Sequence, residues 1–222
     1  MKRVMTVASI ILAGAVAGSA QQAFLHPKLK SKELAIKRVY LMPVMVEIAK
    51  TGVKGNEGMG KEAEEATTSF TTSIADALKK AGYEVETPFA EDKIKDNNEL
   101  KYAVADVQRK YDQVSPQLTK RPKDIQKGRF TLGDTVASVN PKGEAQALVL
   151  VRAKGTKQTK GKSFMGGGLI GMAMSGAITY SSQISLVDAK TGDVVFLSAV
   201  LSRNAPNEKV LGNVFAKTKG KS

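Results

Sequence analysis

The chain has 222 residues and carries 34 lysines and arginines against 21 acidic residues, which gives a formal net charge of +13. It has no cysteine and one histidine, so disulfides, a lipid anchor on cysteine, cysteine-ligated zinc and a histidine cluster are excluded, and we expect no metal site. An apolar fraction of 42% and a charged fraction of 25% are typical of a globular protein, and the length predicts a single domain.

Residues 1–20 have the pattern of a secretory signal peptide. Lys2 and Arg3 form its positive start, residues 4–16 are mostly apolar, and residues 18–20 are the small residues of a cleavage site. The apolar stretch is about a dozen residues long, short of the roughly 20 that a membrane-spanning helix needs. We therefore predict a cleaved signal and no transmembrane helix in the mature chain, with an N-terminal anchor as the alternative. Such a protein is exported to the periplasm or is associated with the cell envelope.

Residues 21–37 are rich in lysine and predict a basic, solvated lead-in segment, with His26 as a surface residue. A mixed α/β domain is predicted over residues 38–205. Its first strand covers Arg38–Glu47, an apolar run typical of a strand that is buried on both faces. Pro43 cannot donate a backbone hydrogen bond, so we expect a bulge or an early strand end there.

Helices dominate the middle of the chain. In chain order we predict a glycine-rich loop at residues 52–60, a helix over 61–80, a short strand over 83–87, a helix from 98 to about 115, and a short helix over 134–139. Apolar residues at helical spacing indicate the two long helices. Gly82 follows the first of them as a stop signal, and Pro116 ends or kinks the second.

The last third of the chain predicts a meander of strands. They cover residues 145–153, 178–187 and 193–201, and Gly192 completes a hairpin turn that begins at Asp188. Residues 206–222 predict a basic tail or a short helix. The resulting order is β-α-β-α-α-β-β-β. We therefore predict a single-domain α/β (α+β) fold, with a mixed sheet of about five strands and helices packed on it.

This order and pattern resemble the periplasmic α/β domains of the CsgG type, which are grouped with the N-terminal domain of TolB and with LpoB. The resemblance covers most of residues 36–202. It is carried by RVYLMPV at residues 38–44, ALKKAGYEV at 77–85, ALVLVRAKG at 147–155 and ISLVDAKTGDVVF at 184–196. It implies an envelope component or assembly factor that is not an enzyme. Many such proteins are lipoproteins, whereas this chain has no cysteine to acylate, and no functional residue is carried over.

Two sequence patterns are compatible with phosphate binding or with catalysis by carboxylates. Residues 55–61 have the G-x-x-x-x-G-K spacing of a phosphate-binding loop, but Glu62 stands where a magnesium-binding serine or threonine belongs, which favours a plain loop. The carboxylate pairs Glu84/Glu86 and Glu91/Asp92 suit an alternative, a soluble enzyme acting on an acidic envelope polymer. Sugar sites use aromatic platforms, and the chain has no tryptophan. We expect neither a catalytic residue nor a cofactor.

Basic runs predict surfaces that bind anions. The candidate residues are Arg152, Lys154, Lys157, Lys160 and Lys162 in one run and Lys120, Arg121 and Lys123 in another. Such runs attract polyanions through counterion release. In the envelope these are anionic lipid headgroups or acidic polymers, and no nucleic acid is expected because no aromatic residues are interleaved with the bases. The alternative is that the charge serves solubility alone.

Phe164–Ile178 is a glycine- and methionine-rich segment whose only polar side chain is that of Ser175. Its candidate contact residues are Phe164, Met165, Leu169, Ile170, Met172 and Met174. An apolar loop of this length has to be buried. It either fills gaps over its own sheet or contacts an envelope protein, a second copy in a homo-oligomer, or a membrane. Together these features predict a non-enzymatic, exported envelope protein that acts as a binding or assembly component.

Overall fold

The computed structural model describes residues 20–52, 55–158, 177–203, 205 and 208–219. One mixed sheet runs through this part of the chain. Its strands are β1 (Ala20–Leu25), β2 (Arg38–Leu41), β3 (Met45–Gly52), β4 (Gly55–Gly58), β5 (Glu84–Glu86), β6 (Ala147–Gln158), β7 (Ile178–Asp188) and β8 (Val194–Arg203). The strand order is β1-β8-β7-β6-β2-β5, with β3 also paired to β6 and β4 paired to β3.

Helices cover the two faces of this sheet. They are α1 (Pro27–Lys30), α2 (Gly60–Lys80), α3 (Glu91–Ile94), α4 (Asn98–Lys120) and α5 (Glu208–Ala216), with 3₁₀ segments η1 (Pro122–Lys127), η2 (Gly133–Val139) and η3 (Lys217–Lys219). The prediction of a single-domain α/β fold with a mixed sheet is confirmed. The prediction of about five strands is wrong, because the sheet of the described residues has eight.

Two of the additional strands arise around Pro43. β2 pairs in parallel with residues 147–149 of β6, and β3 pairs in parallel with residues 152–158 of the same strand. The predicted strand is thus interrupted at Pro43, which has no N–H for the ladder. β3 then continues to Gly52 and turns back as β4. The prediction of a loop over residues 52–60 is therefore wrong for Gly55–Gly58, which form a strand despite their two glycines.

The third additional strand lies in the segment predicted as a lead-in. β1 pairs antiparallel with β8 along six residue pairs and forms an edge of the sheet. His26, which follows it, is only 6% exposed, so the prediction of a surface histidine is wrong. Its Nδ1 accepts a hydrogen bond from the Lys28 backbone at 3.2 Å, and its backbone N–H donates to Val195 O at 2.9 Å. The histidine ties the start of α1 to β8.

Two apolar layers hold the helices to the sheet. Alternate residues of β6 point to opposite faces. Val149 and Val151 belong to the layer shared with α2 and α5, whereas Leu148 and Leu150 belong to the layer shared with α4, η1 and η2. This double burial accounts for the unbroken apolar run ALVLV in β6.

Helix α4 continues past its predicted end near residue 115 and through Pro116 to Lys120. Leu118 is fully buried in the layer between α4 and the sheet, so the last turn is held by packing despite the hydrogen bond that proline cannot make. The hairpin turn predicted after Asp188 is confirmed. Asp188 Oδ1 accepts from the Lys190 backbone at 2.8 Å, and Gly192 has a φ of +75°.

Gly192 allows a close approach between the β7–β8 turn and η2. A Cβ on Gly192 would collide with the backbone of Gly133, and the residue also has positive φ. Gly143 has a φ of +66° but open space around it, so it is a matched control. We expect Gly192→Ala to lower the free energy of unfolding by about 3 kcal/mol, through backbone strain plus the collision, and Gly143→Ala by about 1 kcal/mol. Urea unfolding measures both, and equal losses would contradict the steric account.

Candidate functional site

Helix α4 crosses the sheet at one row of side chains, formed by Arg152 on β6 and Gln183 on β7, which pair across the two strands. Arg152 Nε donates to Asp112 Oδ1 of α4 at 2.6 Å, and its guanidinium lies 5.3 Å from the centre of the Tyr111 ring. Gln183 Oε1 accepts hydrogen bonds from Ser115 at 3.1 Å and from Thr119 at 3.0 Å. This row fixes where the helix lies on the sheet.

Tyr111 is the buried centre of this contact. Its hydroxyl lies 2.7 Å from Ser185 Oγ and accepts a hydrogen bond from Gln183 Nε2 at 3.0 Å. Burial raises the pKa of Tyr111 to about 12, although both hydrogen bonds oppose the shift. The phenol therefore stays neutral at physiological pH. Arg152, whose side chain is only 15% exposed, is engaged by α4 and contributes little free charge to the surface.

Beyond this row, α4 no longer covers the sheet. Directly paired residues of neighbouring strands share a face, and the register places Glu47, Lys154, Ser181 and Leu201 in the next row. We call this surface the open half-face. Its exposed members are Glu47, Lys154, Ser181 and Leu201 of this row, together with Met45 and Ala199 at the two ends of the Arg152–Gln183 row. Met45 is 46% and Leu201 51% exposed, two of the three large apolar side chains exposed to this degree in the described residues.

In the structure, the described residues of the first basic run do not share one surface. Lys154 lies on the open half-face, where its Nζ is 3.7 Å from Glu47 Oε2. Lys157 is three residues further along β6. Because side chains alternate along a strand, it lies on the opposite face of the sheet. Lys160 and Lys162 lie outside the described residues. The apolar contact candidates Phe164, Met165, Leu169, Ile170, Met172 and Met174 also lie outside them.

The second basic run lies at the end of α4 and in η1. Lys120 ends α4, Arg121 follows it, and Lys123 is in η1. The carboxylate of Asp124 forms ion pairs with three bases. The side-chain nitrogens of Lys127, Arg129 and Arg121 lie 3.7, 3.9 and 4.0 Å from its oxygens. Arg121 of this run is thus part of a cluster of three bases around one carboxylate.

This cluster meets the lysines of α1, which sequence reasoning assigned to a lead-in. A Cβ on Gly128 would lie 2.7 Å from His26 Nε2, so the ring of His26 lies directly against Gly128. Lys28 Nζ is 3.5 Å from Asp193, and Asp193 forms a β-bridge with Thr131. We call the joint surface the basic edge. Its bases are Lys28, Lys30, Lys32, Lys120, Arg121, Lys123, Lys127 and Arg129.

The patterns considered for catalysis have other roles in the described structure. Residues 55–58 form β4 rather than a phosphate-binding loop. Arg38 Nε lies 3.1 Å from Glu84 and 3.4 Å from Glu86, and its hydrogen bond to Glu84 raises the pKa of Arg38 above its ordinary value. Glu91 and Asp92 lie in the first turn of α3, where acidic side chains suit the helix dipole.

No helix in the described ranges combines the length and the apolar character that crossing a membrane requires. No protein-family model and no curated protein matches the chain.

Solved structures with similarity to this chain include a PelC dodecamer from Paraburkholderia phytofirmans, at 13% identity and a TM-score of 0.41, covering 92% of this chain and 96% of that one. A substituted form of that dodecamer has 11% identity and a TM-score of 0.39, with coverage of 92% and 97%. The LpoB C-terminal domain from Salmonella enterica has 16% identity and a TM-score of 0.29, with coverage of 81% and 96%. Similarity this low carries no functional argument.

The pKa of Tyr111 makes the α4 contact sensitive to alkali. A phenol whose pKa is about 12 in the folded chain and 10.0 in its ordinary state stabilises the fold fully below pH 10 and loses that contribution as pH rises towards 12. We expect the stability advantage of the wild type over Tyr111→Phe to shrink by about 2 kcal/mol across this range. Urea unfolding at several pH values measures it, with Tyr102→Phe, at an exposed ring, as the control. A constant difference would contradict the assignment.

Proposed function

We propose that this protein is a non-enzymatic, exported component of the bacterial cell envelope that binds an anionic surface through its basic edge. The observation that carries the proposal is the junction of two basic segments, some 90 residues apart in the chain, at one edge of the sheet. The signal-like residues 1–20 support export. In the envelope, anionic lipid headgroups and acidic polymers offer the opposite charge.

The charge balance of the basic edge favours binding over internal neutralisation. Eight bases face three acids, Glu33, Asp124 and Asp193, in the segments that form it. Asp124 and Asp193 are already engaged by bases of the same surface. Four exposed lysines have no ion pair with a described residue: Lys30, Lys32, Lys120 and Lys123. Each such base near an anionic membrane contributes about 1 kcal/mol of attraction.

Residues 164–178 supply the second part of the proposed function. This apolar segment joins the described structure at β6 and β7, beside the open half-face. In the proposal it contacts a protein partner, a second copy or a membrane, while the basic edge supplies the electrostatic attraction. Binding through a basic surface and an apolar element together is typical of proteins that attach to a membrane surface without spanning it.

Vesicle flotation tests the proposal. We expect the exported chain to float with vesicles that contain phosphatidylglycerol, and not with phosphatidylcholine vesicles, in about 0.05 M salt, where charge attraction is weakly screened. Deletion of residues 164–178 should leave this low-salt binding in place and reduce any binding that survives about 0.5 M salt. Absence of flotation with anionic vesicles at low salt would refute an anionic lipid surface as the partner.

Charge reversal locates the binding surface. The triple variant Lys30→Glu, Lys32→Glu, Lys123→Glu removes three unpaired lysines of the basic edge, and we expect its affinity for anionic vesicles to fall about 100-fold or more. The matched control is Lys79→Glu, Lys101→Glu, Lys110→Glu, which makes the same change in net charge at exposed positions on α2 and α4. Equal losses in the two variants would mean that overall charge, and not the basic edge, determines binding.

A further inference from the structure

We propose that the open half-face is a membrane-docking surface that lies against the lipid bilayer of the envelope, with Met45 and Leu201 entering the region between headgroups and acyl chains. The inference rests on the proposed binding to an envelope surface and specifies how the domain is oriented on it. It assigns a role to residues that none of the sequence patterns indicated.

The first support is the chemistry of the surface. A sheet face normally buries its apolar side chains against another layer. Here α4 stops at the row of Arg152 and Gln183. Met45, which pairs with Arg152 at the β3 end of that row, and Leu201, in the next row, remain about half exposed. The third large apolar side chain with high exposure in the described residues, Tyr102, lies on α4 and is 72% exposed. Met45 on β3 and Leu201 on β8 have β6 and β7 between them, so they are two separate apolar points on one uncovered face rather than a contiguous patch.

The second support is where the rest of the chain leaves the described structure. Lys157 of β6 pairs with Ile178 of β7, so residues 159–176 join both strands at the same end of the sheet. The glycine- and methionine-rich segment 164–178 therefore connects to the described structure beside the open half-face.

The third support is charge. Lys154 lies on the open half-face, and the register places Arg203 on the same face, in the row of Thr156 and Thr179. The basic edge borders it as well, because Thr119 donates to Gln183 in the boundary row and Lys120 is the next residue. Long basic side chains around apolar ones fit a surface with anionic headgroups above hydrocarbon. This arrangement favours a bilayer over a purely apolar protein partner.

A fluorescent reporter at the proposed contact tests the inference, since the chain has no tryptophan. Leu201→Trp and the control Tyr102→Trp each provide a single indole at an exposed position. With phosphatidylglycerol vesicles we expect the emission of Leu201→Trp to shift to shorter wavelength and to be quenched by lipids brominated on their acyl chains. We expect neither change for Tyr102→Trp.

Each of the following results would overturn the inference. Unchanged Leu201→Trp emission, while the protein still floats at low salt, would mean that only the basic edge meets the vesicle. A blue shift that grows with protein concentration in the absence of vesicles would mean that a second copy covers the face. A blue-shifted emission at all concentrations without vesicles would mean that the chain covers the face itself. If the wild type fails to float even at low salt, the proposed function fails first, and this inference fails with it.

A second variant measures how much the contact contributes. Met45→Glu combined with Leu201→Glu places carboxylates on the open half-face and leaves the basic edge intact. We expect its partitioning onto anionic vesicles at about 0.5 M salt to fall about tenfold, while most of the low-salt binding remains. Tyr102→Glu should retain the wild-type value at both salt concentrations. Equal partitioning of the double variant and the wild type at high salt would contradict the inference.

Discussion

The contact between Arg152, Tyr111 and helix α4 is the constraint on which the rest of this molecule depends. Asp112 holds the guanidinium at 2.6 Å, and the Tyr111 hydroxyl reaches Ser185 on the neighbouring strand. Because these partners come from one helix and two central strands, the contact fixes α4 in one position on the sheet. In this position α4, η1 and η2 cover the apolar half of this face of the sheet, and the other half is exposed to solvent. The surface available for binding is thus a consequence of where the helix is anchored.

Fold class followed from the sequence because the central strands carry strong local signals. The unbroken apolar run in β6 indicates a buried strand, and the sequence from Asp188 to Gly192 indicates a hairpin turn. The missed strands have weak signals of their own. β1 is short and includes two glutamines among its six residues, β4 consists of Gly-Asn-Glu-Gly, and both are strands only because a longer neighbour pairs with them. Local patterns carry no information about pairing between distant segments, and His26 was misjudged for the same reason.

The candidate surfaces were only partly visible in the sequence. The bases at residues 120–123 were found because they are adjacent in the chain, but their junction with Lys30 and Lys32 depends on the contact between His26 and Gly128. Arg152 was grouped with its basic neighbours, although its contact with Asp112 on α4 distinguishes it from Lys154 and strand alternation separates it from Lys157. Exposure of Met45 and Leu201 could not be read from composition, since apolar residues in strands are ordinarily buried.

The pairing of β1 with β8 has a consequence for when the protein folds. Gln22 O accepts a hydrogen bond from Ser198 Oγ across 176 positions of sequence, so the first strand of the sheet is completed by the last. Pairing between such distant segments makes folding slow, because the chain must close a long loop before the contact stabilises it. A chain that crosses a membrane starting from its N-terminus would release β1 first and wait for β8 until nearly all of it had emerged. In the proposed export, this topology delays completion of the sheet until translocation is almost over, so the chain stays unfolded while it crosses the membrane.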